Sequence, residues 1–350
     1  MKRKPEYLSI YEQLRGEIAA GVYAYGARLP SKRDLAARYG VSVITVEHAY
    51  ALLCEEGYVR TRERSGCFVT YRESDSFLPG QPVTQHSVPH GPGPEDAFPF
   101  TVYARTMRRV LTECGEAILQ RSPNPGCMEL RQALSRYLVR SRHMEAPPEQ
   151  IVIGAGAEYL YGLILRLLGR DRVYGIEDPS YEKIGQVYRA EGVDCRLLPL
   201  GPQGIESAAL AATDAGVLHI SPYRSFPSGV TASASKKREY LRWARERDGL
   251  LIEDDFESEF TPSSKPEDTV FSLDDGGRVI YLNTFSRTIA PAVRVGYMVL
   301  PPRLMNAFSE HLDFYSCTVP TFSQYVLAEL LDSGEFERHL NRIRRKNRRK

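Results

Sequence analysis

Along the first fifty-odd positions apolar residues recur at helical spacing, interrupted by glycines and hydroxyl residues that start and stop helices. Leu8, Tyr11, Leu14 and Ile18 form one stripe ending at Gly21. After a turn at Tyr25-Gly26, Ser31 is placed to cap a second helix, with Asp34 three residues on to answer its backbone. Leu35, Ala36 and Tyr39 give that helix one apolar face, and Gly40 ends it. Ser42 is placed to cap a third helix whose inner stripe is Val46, Ala49, Tyr50 and Leu53, stopped by Gly57. The period then changes: 58–61 and 67–70 read as strands joined by Arg62-Glu63-Arg64-Ser65-Gly66. Two short helices separated by Gly40-Val41, followed by an arginine-tipped hairpin, predict a winged helix-turn-helix that presents its second helix to a major groove about 12 Å wide.

From 72 to 95 the periodicity stops and Pro, Gly, Ser and Gln dominate, as in an extended tether. Beyond it, apolar runs at 150–153, 172–176, 216–220, 249–252, 278–282 and 295–300 alternate with helical stretches such as 159–168 and 236–247. That alternation predicts a mainly parallel sheet covered on both faces, with ligands at the carboxyl ends of its strands. The expected organisation is therefore a DNA-reading domain over 1–71, a linker over 72–95 and an α/β domain over 96–350.

Charge refines this picture. A formal net charge of +2 means that any basic surface is local. Residues 1–70 carry eleven Lys/Arg against eight Asp/Glu, and 338–350 hold eight basic residues and no acid, read as a solvated helix face. The six cysteines are scattered, without a C-x-x-C pair or histidine spacing for zinc, so we expect no metal site and reduced thiols in a cytoplasmic protein. An apolar run of about 18 residues is absent, so no membrane span is expected.

The strings Arg28-Leu29-Pro30-Ser31-Lys32-Arg33-Asp34-Leu35-Ala36, Gly40-Val41-Ser42, Glu55-Glu56-Gly57-Tyr58-Val59 and Ser65-Gly66-Cys67-Phe68-Val69 resemble the GntR-type winged helix. The resemblance implies a double-stranded DNA operator as partner and DNA contacts from Arg33, Ser42, Thr45, Arg64 and Gly66. Positions 43 and 44, where relatives commonly present a polar or basic residue, hold Val43 and Ile44, and Glu47 adds an acid. A valine cannot make the bidentate guanine contact, whereas apolar contact with thymine methyls is open to it.

In the large domain, Glu177-Asp178-Pro179-Ser180-Tyr181, Ser221-Pro222-Tyr223-Arg224-Ser225-Phe226-Pro227-Ser228-Gly229, Glu253-Asp254-Asp255-Phe256, Asn283-Thr284-Phe285-Ser286-Arg287-Thr288 and Ala290-Pro291-Ala292-Val293-Arg294-Val295-Gly296-Tyr297 each follow or adjoin a strand. In this order they resemble the fold-type I pyridoxal-phosphate enzymes, specifically the MocR/GabR subfamily, in which a GntR reader is fused to such a domain. The resemblance implies a multidomain α+β and α/β protein: a winged helix-turn-helix plus a fold-type I transferase-like three-layer α/β domain, working as a homodimer. It also implies a cofactor site, with Asp254 on the pyridine nitrogen, Tyr181 stacked on the ring, Thr284, Ser286 and Arg294 around the phosphate, and the turn 154–158 as the remaining phosphate loop. The Schiff-base lysine of the family falls on Arg287, which is no nucleophile towards an aldehyde, so no catalytic residue is assigned and pyridoxal phosphate would bind noncovalently only. Phe256 replaces a tyrosine that donates to the cofactor ring, Tyr223-Arg224 a serine-histidine pair, and Ala155 and Glu158 a hydroxyl and an amide. Arg121 stands where a tyrosine reaches a neighbour's phosphate. Relatives continue into a C-terminal subdomain that is expected to be absent from 96–350.

Three functions compete at this point: a DNA-binding regulator with an effector-sensing domain, a regulator whose second domain only dimerises, and a pyridoxal-phosphate-dependent aminotransferase. The last requires a lysine at 287. For the first, an amino acid or a vitamin B6 vitamer is the expected effector. The pair Asp254 and Arg294 reads equally well as cofactor contacts or as an ion pair left in a dead site.

Overall fold

The computed structural model describes residues 5–63, 65–72, 97–256, 258–260 and 268–348. Contacts divide the chain into two units, Met1–Gly91 and Pro92–Lys350. Arg64 and all of the expected linker except Arg72 lie outside the described residues.

In the first unit, α1 (Glu6–Ala19), α2 (Lys32–Tyr39) and α3 (Val43–Glu55) are followed by strands β1 (Val59–Arg62) and β2 (Gly66–Val69). Both predicted caps form: the Ser31 hydroxyl accepts the Asp34 N–H and the Ser42 hydroxyl the Thr45 N–H, each at 3.1 Å. Such a cap stabilises a helix by about 1 kcal/mol. Asp34 does not complete the box by reaching back to the Ser31 backbone; its carboxylate accepts the Ser31 hydroxyl at 2.6 Å instead. Asp is one methylene shorter than the glutamate that closes this motif. Gly40 closes α2 in the left-handed conformation at φ 66°, which lets α3 start three residues later, capped by Ser42. Leu14, Val46, Ala49 and Leu53 from two of these helices are fully buried together, joined by Val59, Cys67 and Val69 of the hairpin. The strands pair antiparallel from Val59↔Val69 to Arg62↔Gly66, so each keeps its expected length of four residues but is shifted by one residue towards the turn.

The second unit begins with α4 (Phe100–Cys114) and α5 (Met128–Arg142). Then come β3 (Ile151–Gly154), α6 (Ala157–Leu168), β4 (Tyr174–Asp178), α7 (Glu182–Ala190), β5 (Cys195–Gly201), β6 (Gly204–Ile205), α8 (Ser207–Ala212) and β7 (Val217–Ile220). After these follow α9 (Ala234–Glu246), β8 (Leu250–Asp254), β9 (Val279–Thr284), β10 (Gly296–Val299), α10 (Pro302–Leu312), α11 (Thr321–Asp332) and α12 (Glu335–Asn347). The sheet order is β3-β10-β9-β8-β7-β4-β5-β6. Neighbours from β9 through β5 run parallel, while β10 is antiparallel to both β3 and β9 and β6 is antiparallel to β5.

Successive residues of each central strand feed opposite cores. Leu250 and Ile252 of β8 and Ile280 and Leu282 of β9 join the core under α6, α7 and α10, whereas Leu251 and Val279 join the one under α8 and α9 and Tyr281 the one under α4, α5 and α11. This two-faced burial is why these strands read as unbroken apolar runs. It yields three layers, with the parallel carboxyl ends Asp178, Ile220, Asp254 and Thr284 on one edge of the sheet. The basic segment 338–348 forms part of α12, which buries Phe336, His339, Leu340 and Ile343 and turns Arg338 out to Glu335 at 3.2 Å. Among the described residues no helix is long and apolar enough to cross a membrane, and no group of three or more His, Cys, Asp or Glu side chains is arranged to hold a metal.

Candidate functional site

Two surfaces carry chemistry, one in each unit. In the first, Arg33 is exposed on the opening turn of α2 and Ser42 is exposed at the start of α3, with the Thr45 hydroxyl 2.8 Å from its own. Gly66 opens β2 at φ 111°, and a Cβ there would stand 2.9 Å from the Arg28 guanidinium. A groove with ≈1090 Å³ of space free of protein atoms joins Arg33 and Gly66 with Arg28, Lys32, Val43 and Arg62. Ser42 and Thr45 flank it on the turn that carries Val43. The predicted contact Arg64 lies outside the described residues. Arg28 and Arg62 stand in the strings that mark the reader and its wing but are not among the assigned contacts; the packing of the hairpin against the loop before α2 brings them to the groove. Lys32 is ion-paired with Glu47, so part of the groove's positive charge is neutralised within the fold. Val43 and Ile44 are 42% and 63% exposed, an unusual solvent position for two β-branched apolar side chains at the tip of a helix.

In the second unit, the carboxyl edge of the sheet holds a cleft with ≈630 Å³ of space free of protein atoms, lined by Glu158, Tyr161, Tyr181, Ser221, Tyr223, Arg224, Phe226, Asp254, Phe256, Ser286 and Arg294 among others. Asp254 closes β8 and is 5% exposed. Its Oδ2 accepts from the Tyr161 hydroxyl and lies 3.4 Å from His219 Nε2, and His219 Nδ1 is in turn 2.7 Å from the Tyr188 hydroxyl. Burial, followed by the neighbouring Asp254 carboxylate, holds the Tyr161 phenol well above its usual range. The Tyr181 ring lies nearly parallel to Phe256, centroids 6.4 Å apart, and edge-on to Phe226 at 6.3 Å.

The loop between β7 and α9 is fixed by two buried carboxylates, Glu177 and Glu253, which open two of the motif strings but carry no assigned role there. Glu177 accepts the Ser225 hydroxyl at 2.5 Å and the Ser221 N–H at 3.1 Å. Glu253 accepts the N–H groups of Val270 and Phe271 at 2.8 Å each and the Tyr223 hydroxyl at 3.3 Å. Burial pushes both carboxyls up to about 7. Tyr223 therefore serves this scaffold rather than standing in for the family's serine-histidine pair.

At the opposite end of the cleft, Glu158 in the first turn of α6 accepts from Arg294 Nη2 at 2.6 Å and from Lys183 Nζ at 3.1 Å. Burial opposes ionisation of Glu158, but the Arg294 and Lys183 hydrogen bonds and its own backbone N–H outweigh it and hold the carboxyl down at about 2. Arg294 adopts φ 48°, and Gly156 adopts φ 90° with its missing Cβ 2.7 Å from that guanidinium. Only glycine gives the arginine this approach to the helix start. Asp254 and Arg294 are not paired with one another, since Arg294 is taken by Glu158.

The predicted cofactor contacts are thus brought together in part. Tyr181, Asp254, Ser286 and Arg294 line one cleft, and the Ser286 hydroxyl is buried without a hydrogen-bond partner. Thr284 ends β9 but is not among the lining residues. Arg287 is exposed, its guanidinium 5.5 Å from the ring centres of Phe256 and Phe260. Against pyridoxal phosphate, the ring end of the cleft fits: a carboxylate for the ring nitrogen and an aromatic face. The phosphate end does not, because its arginine and helix start are occupied by Glu158 and a threonine of the expected cradle lies elsewhere. Arg121 donates to Ser316 at 2.6 Å.

A winged helix-turn-helix carried on the same chain as an aminotransferase-type α/β domain defines a class of transcriptional regulator. The family model for bacterial regulatory proteins of the gntR family matches residues 6–69. The HTH-type transcriptional regulator YdeL of Bacillus subtilis (strain 168) is 31% identical over 99% of this chain and 77% of its own length. The probable rhizopine catabolism regulatory protein MocR of Rhizobium meliloti is 28% identical over 97% of this chain and 74% of its length. Among solved structures, kynurenine aminotransferase of Pyrococcus horikoshii overlays with a TM-score of 0.63 at 27% identity, covering 71% of this chain; the chain spans 64% of that enzyme's length. The chain belongs to the MocR subfamily of the gntR-family transcription regulators, with a DNA-binding winged helix-turn-helix and an aminotransferase-like domain.

Proposed function

We propose that this regulator senses a small molecule in the cleft of its large domain without aminotransferase chemistry, and transmits that state to an operator bound by two readers of a cytoplasmic homodimer. The observation that carries the reading is Arg287. It occupies the position of the family's Schiff-base lysine, and a guanidinium stays protonated in proteins and has no lone pair to attack an aldehyde. Pyridoxal phosphate in this cleft would be held noncovalently. A receptor is favoured over a bare dimerisation scaffold because the cleft is built: Asp254, three aromatic rings and an unpartnered Ser286 hydroxyl converge on open space. An amino acid or a vitamin B6 vitamer is the ligand class such a lining suits.

Homodimerisation is supported by the exposure of Leu119 (82%) and Phe314 (72%), on two segments tied together through Arg121 and Ser316. Paired readers also suit two half-sites. DNA reading is assigned to Arg33, Ser42, Thr45 and Gly66, and, on the sequence pattern alone, to Arg64. Arg33→Ala tests it: binding to an operator duplex, followed by fluorescence anisotropy over a salt series, weakens, and the slope of log affinity against log salt falls by about one unit for each phosphate no longer neutralised. Unchanged affinity and slope would remove Arg33 from the interface.

A further inference from the structure

The phosphate end of the cleft carries its own anion. Glu158 sits in the first turn of α6, where backbone N–H groups point outward, and its two oxygens hold Arg294 at 2.6 Å and Lys183 at 3.1 Å. The cationic fork and the helix start that would receive a phosphate dianion are already satisfied by a carboxylate of the same chain. An incoming phosphate has to compete with Glu158 for two cations that are each about half exposed, and then lies beside its negative charge, which disfavours the phosphorylated form. The other end keeps the opposite character: the buried Asp254 carboxylate lines the same cleft as Tyr181, Phe226 and Phe256, with the Tyr181 and Phe256 planes only 16° from parallel. A carboxylate and aromatic faces in one cleft suit a flat ring bearing a protonated nitrogen.

We propose that the cleft is a receptor for a phosphate-free, protonated nitrogen-ring ligand, and that Glu158 is the specificity-determining residue that turns away the phosphorylated form. This rests on the reading of the large domain as a receptor and specifies what it receives. The fold's relatives among solved structures are aminotransferases, so the expected ligand of the fold and the charge pattern of this chain disagree at one end of the site, and Glu158 is the cause.

The test is a matched pair of probes that differ only in the phosphate, pyridoxamine and pyridoxamine 5′-phosphate, titrated calorimetrically into the full chain at neutral pH. The wild type binds pyridoxamine at least tenfold more tightly than its phosphate ester. Glu158→Gln, which removes the charge and frees Arg294, abolishes or inverts that ratio; Glu158→Asp, which keeps the charge, retains the preference. Asp254→Asn weakens both ligands. A wild type that prefers the phosphate ester, or a Glu158→Gln chain whose ratio is unchanged, overturns the proposal. A wild type that binds neither probe overturns it as well. Operator binding by the wild-type chain, measured beside these titrations, tests the regulator reading separately, so failure of the ligand class is distinguishable from failure of DNA recognition.

Discussion

Ser42 joins the stability of the reader to its assigned role at DNA, and two substitutions separate the two. Its hydroxyl accepts the Thr45 N–H at 3.1 Å and lies 2.8 Å from the Thr45 hydroxyl. Ser42→Ala leaves that N–H without its partner at the start of α3, a loss of about 1 kcal/mol. In a unit of roughly 65 residues such a loss lowers the unfolding midpoint by about 4–8 °C. Ser42→Asp keeps an acceptor in the same place and adds a favourable charge at the helix start, about 0.3–1 kcal/mol, so its midpoint stays at or above that of wild type. Towards DNA the order reverses. An exposed carboxylate roughly 4 Å from a phosphate costs about 1 kcal/mol at the dielectric of water and about 4 at an effective value near 20, a loss of at least several-fold in affinity. Calorimetry of the full chain, following the transition of the reader, together with anisotropy on a duplex selected by the wild-type protein, checks both. A Ser42→Asp chain that binds as wild type would show that the start of α3 does not face DNA. A Ser42→Ala chain with an unshifted midpoint would show that the cap contributes no stability.

Arg287→Lys alone, incubated with pyridoxal phosphate and borohydride, yields no adduct at residue 287 by peptide mass spectrometry, whereas Arg287→Lys combined with Glu158→Gln does; an adduct on the single variant would show that Glu158 does not close the phosphate end. The unmodified chain has no transaminase activity against any amino acid paired with a keto acid, and measurable turnover refutes the assignment of Arg287. Stability of the large domain changes with pH through Glu177 and Glu253, whose carboxyls burial raises from 4.5 to about 7. The folded chain then retains protons that the unfolded chain releases, so this contribution is full below about pH 4.5, falls as pH rises to 7 and is flat above, with a ceiling of about 3 kcal/mol per group. Urea midpoints at pH 5 and pH 8 measure it, and Glu253→Gln, which cannot titrate, shows a smaller difference between the two; an identical difference removes Glu253 as a source.

The reader was legible almost to the residue because its local signals agree with its packing. Ser31, Gly40, Ser42 and Gly57 punctuate stripes that are buried as their spacing indicates, and the helix bounds differ from expectation by a residue or two. In the large domain the strands β3, β4, β7, β8, β9 and β10 were legible because a strand covered on both faces is apolar at every position. The strands β5 and β6 were not. They lie at the far edge of the sheet, where Arg196 pairs with Asp194 and Asp214 and Leu197 is 60% exposed, and the short apolar run of β5 is broken by Pro199, which argues against a strand. The antiparallel direction of β10 is also invisible in composition, since a buried strand has the same residues in either direction.

The candidate site was legible in its parts and not in its wiring. Motif order placed Tyr181, Asp254, Thr284, Ser286 and Arg294 together, of which all but Thr284 line the cleft, and the same order marked Glu158 as a departure without assigning it a partner. Arg294 is 136 residues away from Glu158 in sequence, and the pairing depends on two backbone conformations that composition does not announce, φ 48° at Arg294 and φ 90° at Gly156. On the reading proposed above, Arg287 in place of the family's lysine costs only the covalent bond, whereas Glu158, through its pairing with Arg294 and Lys183, competes with the phosphate itself. The ring end, by contrast, keeps its buried acid and its aromatic faces. A domain decaying to a scaffold has no reason to lose one end of a site by acquiring a well-paired ion triad while retaining the other end intact, and that asymmetry is the physical argument for a receptor with altered specificity.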